Sequence, residues 1–441
     1  MKGKKTLKNV LEELVEDKNV LILGYGKEGK STYKLLRKLG LCRRLDIADI
    51  KKQSDYDEKS TEFYYGDNYL DNLDFYDIVF KSPGIVLAKD HDDYSPTITS
   101  QTEVFLKAYN RQVIGITGTK GKSTVSSLLY HVLNKNNISC LLAGNIGTPV
   151  FDIYEEIKED TIVIFEMSCH QLENSMYSPA LGILLNLFED HLDHYGSFEK
   201  YKAAKKNIYL HQHPLDSLLC LEGINIDREE FVSRVFYIHT KNLPFESLAS
   251  VEGSLLRGDH NLINCAFVHE ISRSFGISDQ EFIASLKTYT PLKHRLEFIG
   301  SKNGVDYYDD SISTTVESTI SAIKSIENIS TIIIGGMDRG INYDPLVDFL
   351  LEGKVTNIIL MYESGKKIYQ KLMERPSIPE DLNIVLDKDL YAATERAQKL
   401  TLAGEACILS PASASYDDFK NFEERGGLFK ELIFKPVDYK Q

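Results

Sequence analysis

Two loops of this chain have the composition to grip a phosphate, and they compete for one role. Gly24-Tyr-Gly-Lys-Glu-Gly-Lys-Ser31 reads as the dinucleotide fingerprint G-x-G-x-x-G, with Gly24, Gly26 and Gly29 after the apolar run Val20 to Leu23; it reads equally as the literal P-loop G-x-x-x-x-G-K-S. Gly115-Ile-Thr-Gly-Thr-Lys-Gly-Lys-Ser123 misses the literal pattern, because Ile116 stands at its first glycine. A nucleotide triphosphate carries magnesium, so its loop needs acidic or hydroxyl ligands from neighbouring strand ends. That criterion selects the second loop. Gly118, Gly121, Lys122 and Ser123 keep the backbone donors, a lysine for the terminal phosphates and a hydroxyl for the metal, at the start of a predicted helix. Glu166 closes an apolar strand, and His191 follows another within the acid-rich Glu189-Asp190-His191-Leu-Asp193-His194. The first loop has Asp49, placed where a dinucleotide fold sets an acid on ribose, but the strand end from Phe80 to Gly84 brings no carboxylate. Its Lys30 and Ser31 are expected at the solvated start of a helix.

The elements that must carry these residues alternate between strand and helix. Strands are expected at Val20 to Leu23, Leu45 to Ala48 and Ile78 to Phe80, with a helix from Ser31 to Leu39; a fresh unit opens at Val113 and adds a helix from Ser123 to Asn134 and strands at Thr161 to Phe165 and Leu181 to Asn186. A third unit begins near Pro291, with strands at Asp306 to Tyr308, Thr331 to Ile334, Asn357 to Leu360 and Ala406 to Leu409. Such alternation predicts parallel, doubly wound sheets. The expected architecture is three α/β domains in series, over residues 1–100, 101–290 and 291–441.

Hydrophobic content of 42% and charged content of 26% are ordinary for a soluble globular protein. At 441 residues the chain exceeds what one core serves. A net charge of -14 excludes a nucleic-acid partner unless a basic patch is concentrated locally, and the basic runs Lys2 to Lys8 and Lys202 to Lys206 are short. The six cysteines form no C-x-x-C pair and suggest neither zinc nor a disulfide framework. No signal peptide or membrane span is read, so a cytoplasmic protein is expected; a monomer is the separate expectation for its assembly.

With these motifs in place, the sequence resembles the Mur ligases, ATP-dependent amide-forming enzymes of bacterial cell-wall synthesis. Gly115 to Ser123 reproduces their loop Gly-x-Thr-Gly-Thr-x-Gly-Lys-Ser/Thr, which accounts for Ile116. The likeness continues through Gly144-Asn-Ile-Gly147, Glu166-Met-Ser-x-x-Gln171-Leu-Glu173, Asn186-x-x-Glu189-Asp-His191, Ala203-Ala-Lys205, His260-Asn-x-x-Asn264 and His294-Arg-x-Glu297. Ser410-Pro-Ala-Ser-Ala-Ser-Tyr-Asp-Asp-Phe-Lys-Asn-Phe-Glu-Glu-Arg-Gly426 resembles the end of the glutamate-adding branch.

The resemblance implies a Rossmann-like N-terminal domain that receives a UDP substrate, a central P-loop ATPase-like domain and a C-terminal Rossmann-like domain. It implies ATP and two Mg2+ as cofactors, phosphorylation of the substrate's alanyl carboxylate, and attack of the glutamate amine on the resulting acyl phosphate. ATP would meet Gly118, Thr119, Lys120, Gly121, Lys122, Ser123 and Thr124, with Asn264, Arg295 and Asp310 at positions used for adenine, phosphates and ribose. Metal would rest on Ser123, Glu166, His191 and Lys205, the last carbamylated so that a cation becomes an anion. Lys122, His191 and Lys205 would be the catalytic set. The UDP substrate would take Gly24, Gly26, Gly29, Asp49, Ile50, Gly84, Asn145 and His191; glutamate would take Thr314, Arg339, Ser415 and Phe422. Arg339 stands where this branch often has lysine, and a guanidinium can hold a carboxylate in a fork.

One segment departs from the branch pattern. Asp310-Ser-Ile-Ser-Thr-Thr315 replaces Asp-Ser-Lys-x-Thr-Asn, so Ile312 removes a cation and Thr315 an amide. D-glutamate is the expected substrate and L-glutamate the alternative. A folylpolyglutamate synthase type of ligase is a rival that needs no N-terminal Rossmann-like unit, and a nucleotide-binding regulator without catalysis is a rival of another class.

Overall fold

The computed structural model describes residues 6–435 apart from 90, 190, 227, 230, 257 and 258, so Lys2, Lys4, Lys5 and Asp190 lie outside the described residues. The chain forms two compact units, one of residues 1–246 with 261–287 and the other of residues 247–260 with 288–441.

The first unit holds two parallel sheets. Strands β1 (Asn19–Leu23), β2 (Arg44–Asp49), β3 (Phe63–Tyr65), β4 (Ile78–Lys81) and β5 (Thr97–Thr99) lie in the order β3-β2-β1-β4-β5. Strands β6 (Val113–Thr117), β7 (Cys140–Gly144), β8 (Ile162–Glu166), β9 (Leu181–Leu184), β10 (Ser217–Leu221) and β11 (Arg234–Ile238) lie in the order β11-β10-β9-β6-β8-β7. In both, the glycine loop leaves the strand at which the order reverses, β1 or β6, and open parallel sheets bind ligands in the crevice at that point. Register puts Glu166 beside Ile116 and Leu184 beside Thr117, so the loop after β6 is flanked by the ends of β8 and β9.

One apolar core serves both sheets. Phe80 of the first meets Phe151 at 6.5 Å between ring centroids, and Phe105 meets Phe165 of the second edge-on at 5.9 Å. Each such ring contributes about 1.5–3 kcal/mol by leaving water.

The helix after the first glycine loop, Lys27–Leu39, begins one turn earlier than expected. It carries Glu28 in its first turn and Arg37 and Lys38 in its last, which complements the helix dipole. Gly29 lets it approach β1, since a Cβ there would lie 2.0 Å from the carbonyl oxygen of Gly24. Ser31 corrects the solvated reading: it is buried, and its hydroxyl donates to Asp152 at 2.7 Å. Lys30 pairs with Asp55 at 2.9 Å. Neither contact leaves that lysine-serine pair arranged like a phosphate-gripping P-loop end.

The second unit is built on one mixed sheet. Strands β12 (Glu297–Lys302), β13 (Val305–Asp309), β14 (Ile329–Ile334), β15 (Asn357–Met361), β16 (Asn383–Asp387) and β17 (Ala406–Leu409) follow the order β12-β13-β17-β14-β15-β16, parallel except for β12. The antiparallel hairpin turns on Asn303 and Gly304, both at positive φ (55° and 79°), the backbone that an Asn-Gly pair adopts readily. No helix among the described residues is long and apolar enough to cross a membrane.

Candidate active site

The loop after β6 depends on backbone shapes that only glycine adopts freely. Gly118 has φ 153° and Gly121 φ 85°; a Cβ on the first would lie 2.9 Å from Leu185 Cβ, and on the second 2.6 Å from Asn264 Oδ1. Asn264, in helix Asp259–Ser274, is thus packed against the loop's last glycine. Asn186, just past β9, clamps the loop from the other side. Its Oδ1 accepts from Lys120 N at 2.8 Å, its Nδ2 donates to Lys120 O at 3.0 Å, and its carbonyl accepts from Thr119 N at 3.1 Å. The Thr119 hydroxyl accepts from Tyr201 and from Phe188 N, each at 3.0 Å. Ser123 is buried at the start of helix Lys122–Lys135, which has no side-chain cap. Its first amides are therefore presented to an anion.

Lys122, Asn145, His191, Lys205 and Gly84 line one cleft of about 340 Å³, so the geometry gathers residues from five separate segments. Lys122 Nζ donates to Gly118 O at 2.9 Å and Thr119 O at 3.0 Å. Lys205 sits on helix Phe198–Lys206, 1% exposed; its Nζ donates to Gly118 O at 2.9 Å and Thr117 Oγ1 at 3.4 Å and lies 4.9 Å from the Tyr201 ring centroid. The reading of Lys205 as a surface lysine, which its sequence position alone suggests, is therefore excluded. His191 is exposed at φ 53°, and its carbonyl accepts from His194 N and Tyr195 N at 3.1 and 3.0 Å. His170 packs edge-on to it, 5.0 Å between centroids. Glu166 is fully buried at the end of β8: Oε1 accepts from Asn145 Nδ2 at 2.7 Å, and Oε2 has no hydrogen-bond partner among the described residues. A buried carboxylate oxygen left unpaired is costly unless a cation completes it. With the Ser123 hydroxyl, that oxygen is the hard-oxygen donor set Mg2+ prefers.

A second cleft, about 390 Å³, is lined by Gly24, Gly26, Asp49, Gly84, Asn145 and Gly147, and so adjoins the first through Gly84 and Asn145. Asp49 shapes the loop itself: Oδ2 accepts from Tyr25 N at 2.6 Å and Oδ1 from Lys51 N at 3.0 Å. Ile50 is 57% exposed beside it. The two clefts thus collect all eight residues expected for the UDP substrate except Gly29, which acts in packing, and Ile50.

In the second unit the expected residues fall on the segment before β12, which carries Arg295, and on the segments after β13, β14 and β17. Asp310 is buried, with Oδ1 accepting from Leu296 N at 3.0 Å and Oδ2 from Ser410 Oγ at 2.8 Å; burial pushes its carboxyl up to about 6. Both oxygens therefore tie loops together. Arg295 is exposed between His294 and Leu296, which hold positive φ values of 61° and 46°. Arg339 stacks on Tyr416 at 5.6 Å, and buried Ser415 accepts at its carbonyl from Phe419 N at 2.9 Å. Phe422 opens helix Phe422–Phe434 behind its cap Asn421. Thr314 is half-buried, and Thr315 caps helix Val316–Lys324, a structural use for the residue that replaces the branch's amide.

Arg425 is the residue here that sequence reasoning left without a role. Fully buried, it donates to Ser311 O, Ser413 O and Ala414 O at 2.9–3.2 Å and to Ser311 Oγ at 3.0 Å, binding the Ser311 loop to the Ser413–Ser415 loop. Burial lowers its pKa to about 10, against the attraction of Asp309. Its place in Glu-Glu-Arg-Gly was the available signal. His294 Nδ1 meets Asp309 Oδ2 at 2.6 Å, which raises the histidine above its ordinary value.

The chain is similar to known proteins over nearly its whole length. The sequence profile of the Mur ligase middle domain matches residues 116–235. The UDP-N-acetylmuramoylalanine--D-glutamate ligase of Acetivibrio thermocellus is 32% identical over 466 aligned positions, covering 96% of this chain and 98% of that protein. The enzyme of the same name from Clostridium botulinum strain 657 is 31% identical over 457 positions with the same coverage. Among solved structures, the MurF ligase of Thermotoga maritima in complex with ADP matches with a TM-score of 0.57 at 16% identity, covering 96% of each chain. UDP-N-acetylmuramate-alanine ligase MurC of that organism matches at 0.52 and 16%, over 90% of this chain and 96% of that one. These structural likenesses carry the fold. The sequence relationship, spanning nearly the whole chain, carries more: the protein belongs to the Mur ligase family of ATP-dependent amide-forming ligases, in its glutamate-adding branch.

Proposed function

We propose that this protein joins D-glutamate to UDP-N-acetylmuramoyl-L-alanine at the expense of ATP, a step in peptidoglycan precursor synthesis, acting as a cytoplasmic monomer with three functional domains over 1–100, 101–290 and 291–441. The observation that supports it best is the cleft shared by Lys122, Asn145, His191 and Lys205 beside the glycine loop after β6.

A carboxylate is a poor electrophile, so amide formation needs it activated. Held along the loop amides of Gly118 to Thr124, ATP presents its terminal phosphoryl to the alanyl carboxylate; a carboxylate oxygen bonds to phosphorus, and ADP leaves. The glutamate amine then adds to the acyl carbon, loses a proton to solvent, and phosphate departs. Lys122 leaves its loop carbonyls to neutralise the transferring group. Ser123 and Glu166 would hold one Mg2+, and His191 with Lys205 a second; bound there, these ions would offset the charge of the phosphates. Lys205 fits this only as a carbamate, formed when its neutral amine attacks CO2 and sheds a proton. Asn264, Arg295 and Asp310 serve the nucleotide. Gly24, Gly26, Gly29, Asp49, Ile50 and Gly84 receive UDP, with Asn145 and His191 on the muramoyl end. Thr314, Arg339, Ser415 and Phe422 receive glutamate.

Phosphate release from ATP, followed with the UDP substrate and each glutamate enantiomer, tests the reading. Release with D-glutamate alone supports it. Ile312 favours a second reading, use of L-glutamate, which release with that enantiomer alone would establish; silence with both would overturn the assignment.

A further inference from the structure

Glu28 lies in the first turn of helix Lys27–Leu39 and lines the cleft of the first glycine loop, yet no role has been assigned to it. Its Oε1 accepts from Gln171 Nε2 at 2.5 Å, a bond between residues 143 apart in sequence that reaches from the first sheet to the turn after β8. Its Oε2 is buried without a hydrogen-bond partner among the described residues. Burial pushes the carboxyl up to about 7, while Gln171 and the nearby Lys81 pull it down. Lys81, at the end of β4, is 9% exposed; burial lowers its pKa, against the attraction of Glu173 and Glu28. Two ionisable groups are thus kept in an interior where an apolar pair would cost less. A price of that kind is usually paid where geometry matters more than stability.

The geometry in question runs through Gln171. While its amide nitrogen holds Glu28, its Oε1 accepts from Ser168 N at 2.8 Å, and the Ser168 hydroxyl accepts from Gln171 N at 3.2 Å. This reciprocal cap defines the short helix Cys169–Leu172, which starts three residues after Glu166. Glu166 in turn orients Asn145, a residue common to both clefts. On the other side, the Glu28 carbonyl accepts from Thr32 Oγ1 at 2.9 Å and Gln101 Nε2 at 3.3 Å, so the carboxyl is anchored at its base.

We propose that Glu28 is a positioning residue of the ligase reaction: by gripping Gln171 it sets the turn behind Glu166 and Asn145 in register with the loop that receives the nucleotide-sugar. This rests on the functional reading above, and its chemistry is that of one hydrogen bond to a carboxyl or amide oxygen. Displacement of a reacting group by about 1 Å can cost about a hundredfold in rate, so the bond acts through kcat.

Four proteins test it: Glu28→Ala, Gln171→Ala, the double variant, and Glu28→Gln, which keeps an acceptor of the same shape. The expected result is a fall in kcat of roughly tenfold or more for either alanine variant, with KM for ATP within about twofold, no further loss in the double variant, and recovery in Glu28→Gln. Unchanged kcat in Glu28→Ala, losses that multiply in the double variant, or a Glu28→Gln protein as slow as Glu28→Ala would each overturn it. The denaturant midpoints of the same four proteins read the link without turnover: shifts that add independently overturn it even if the unaltered protein releases no phosphate, a result that would separately defeat the functional reading.

Discussion

Lys122 and Lys205, from different helices, both donate to the carbonyl oxygen of Gly118, each at 2.9 Å. Two ammonium groups sharing one acceptor repel each other, and one carbonyl cannot balance them. In the reaction proposed above, the triphosphate would add its negative charge beside Lys122, and carbamylation of Lys205, set deep beside Tyr201, would remove that lysine's positive charge.

Activity should therefore depend on dissolved CO2. Stripping bicarbonate is expected to lower turnover several-fold and its return to restore it, while Lys205→Ala should lose about a hundredfold or more. Carbon-13 NMR of protein equilibrated with labelled bicarbonate should show one carbamate resonance that Lys205→Ala lacks. An unlabelled protein with full activity would remove the carbamate from the account.

Gly121→Ala should weaken nucleotide binding while leaving the first cleft intact. The new methyl meets Asn264 Oδ1 at 2.6 Å in a backbone conformation that disfavours a side chain, at a cost of about 1–2 kcal/mol before any relaxation. Titration with a fluorescent ADP analogue should show affinity at least about tenfold lower, against unchanged affinity for the UDP substrate.

Asn186→Ala removes both side-chain bonds that clamp Lys120. Each is worth about 0.5–1.5 kcal/mol, so a rise in KM for ATP of about tenfold is expected, with a smaller effect on the KM for glutamate. Equal changes in both would show general misfolding instead of a loosened loop.

The His294–Asp309 pair gives the second unit a pH signature. Asp309 raises the histidine above its ordinary value near 6.5, so the stabilisation is complete below that value and fades as pH rises through the raised one. The melting-temperature gap between the protein and His294→Gln should shrink between about pH 6 and pH 9. A gap that widens on that path would contradict the pairing.

Much of the site could be read from the sequence because its residues sit at strand ends, where position follows from a short apolar run and a glycine. The loop after β6, Glu166 and His191 were placed in this way. What escaped was contact between distant segments. Ser31 is expected at a solvated helix start and instead donates to Asp152, 121 residues away; Asn186 and Arg425 are visible as letters in motifs, but their use as clamps depends on loops brought together only by folding. The β12–β13 hairpin is a different case, since Asn303-Gly304 between two extended runs is a local signal that was available and unread.

The central claim is that the substrate's own carboxylate takes the phosphoryl group. UDP-N-acetylmuramoyl-L-alanine labelled with oxygen-18 in its alanyl carboxylate tests this directly, with the released phosphate analysed by mass spectrometry after turnover with ATP and D-glutamate. One labelled oxygen should appear in each phosphate formed. Amide product accompanied by unlabelled phosphate would show that no acyl phosphate forms and that the loop from Gly118 to Ser123 serves another chemistry.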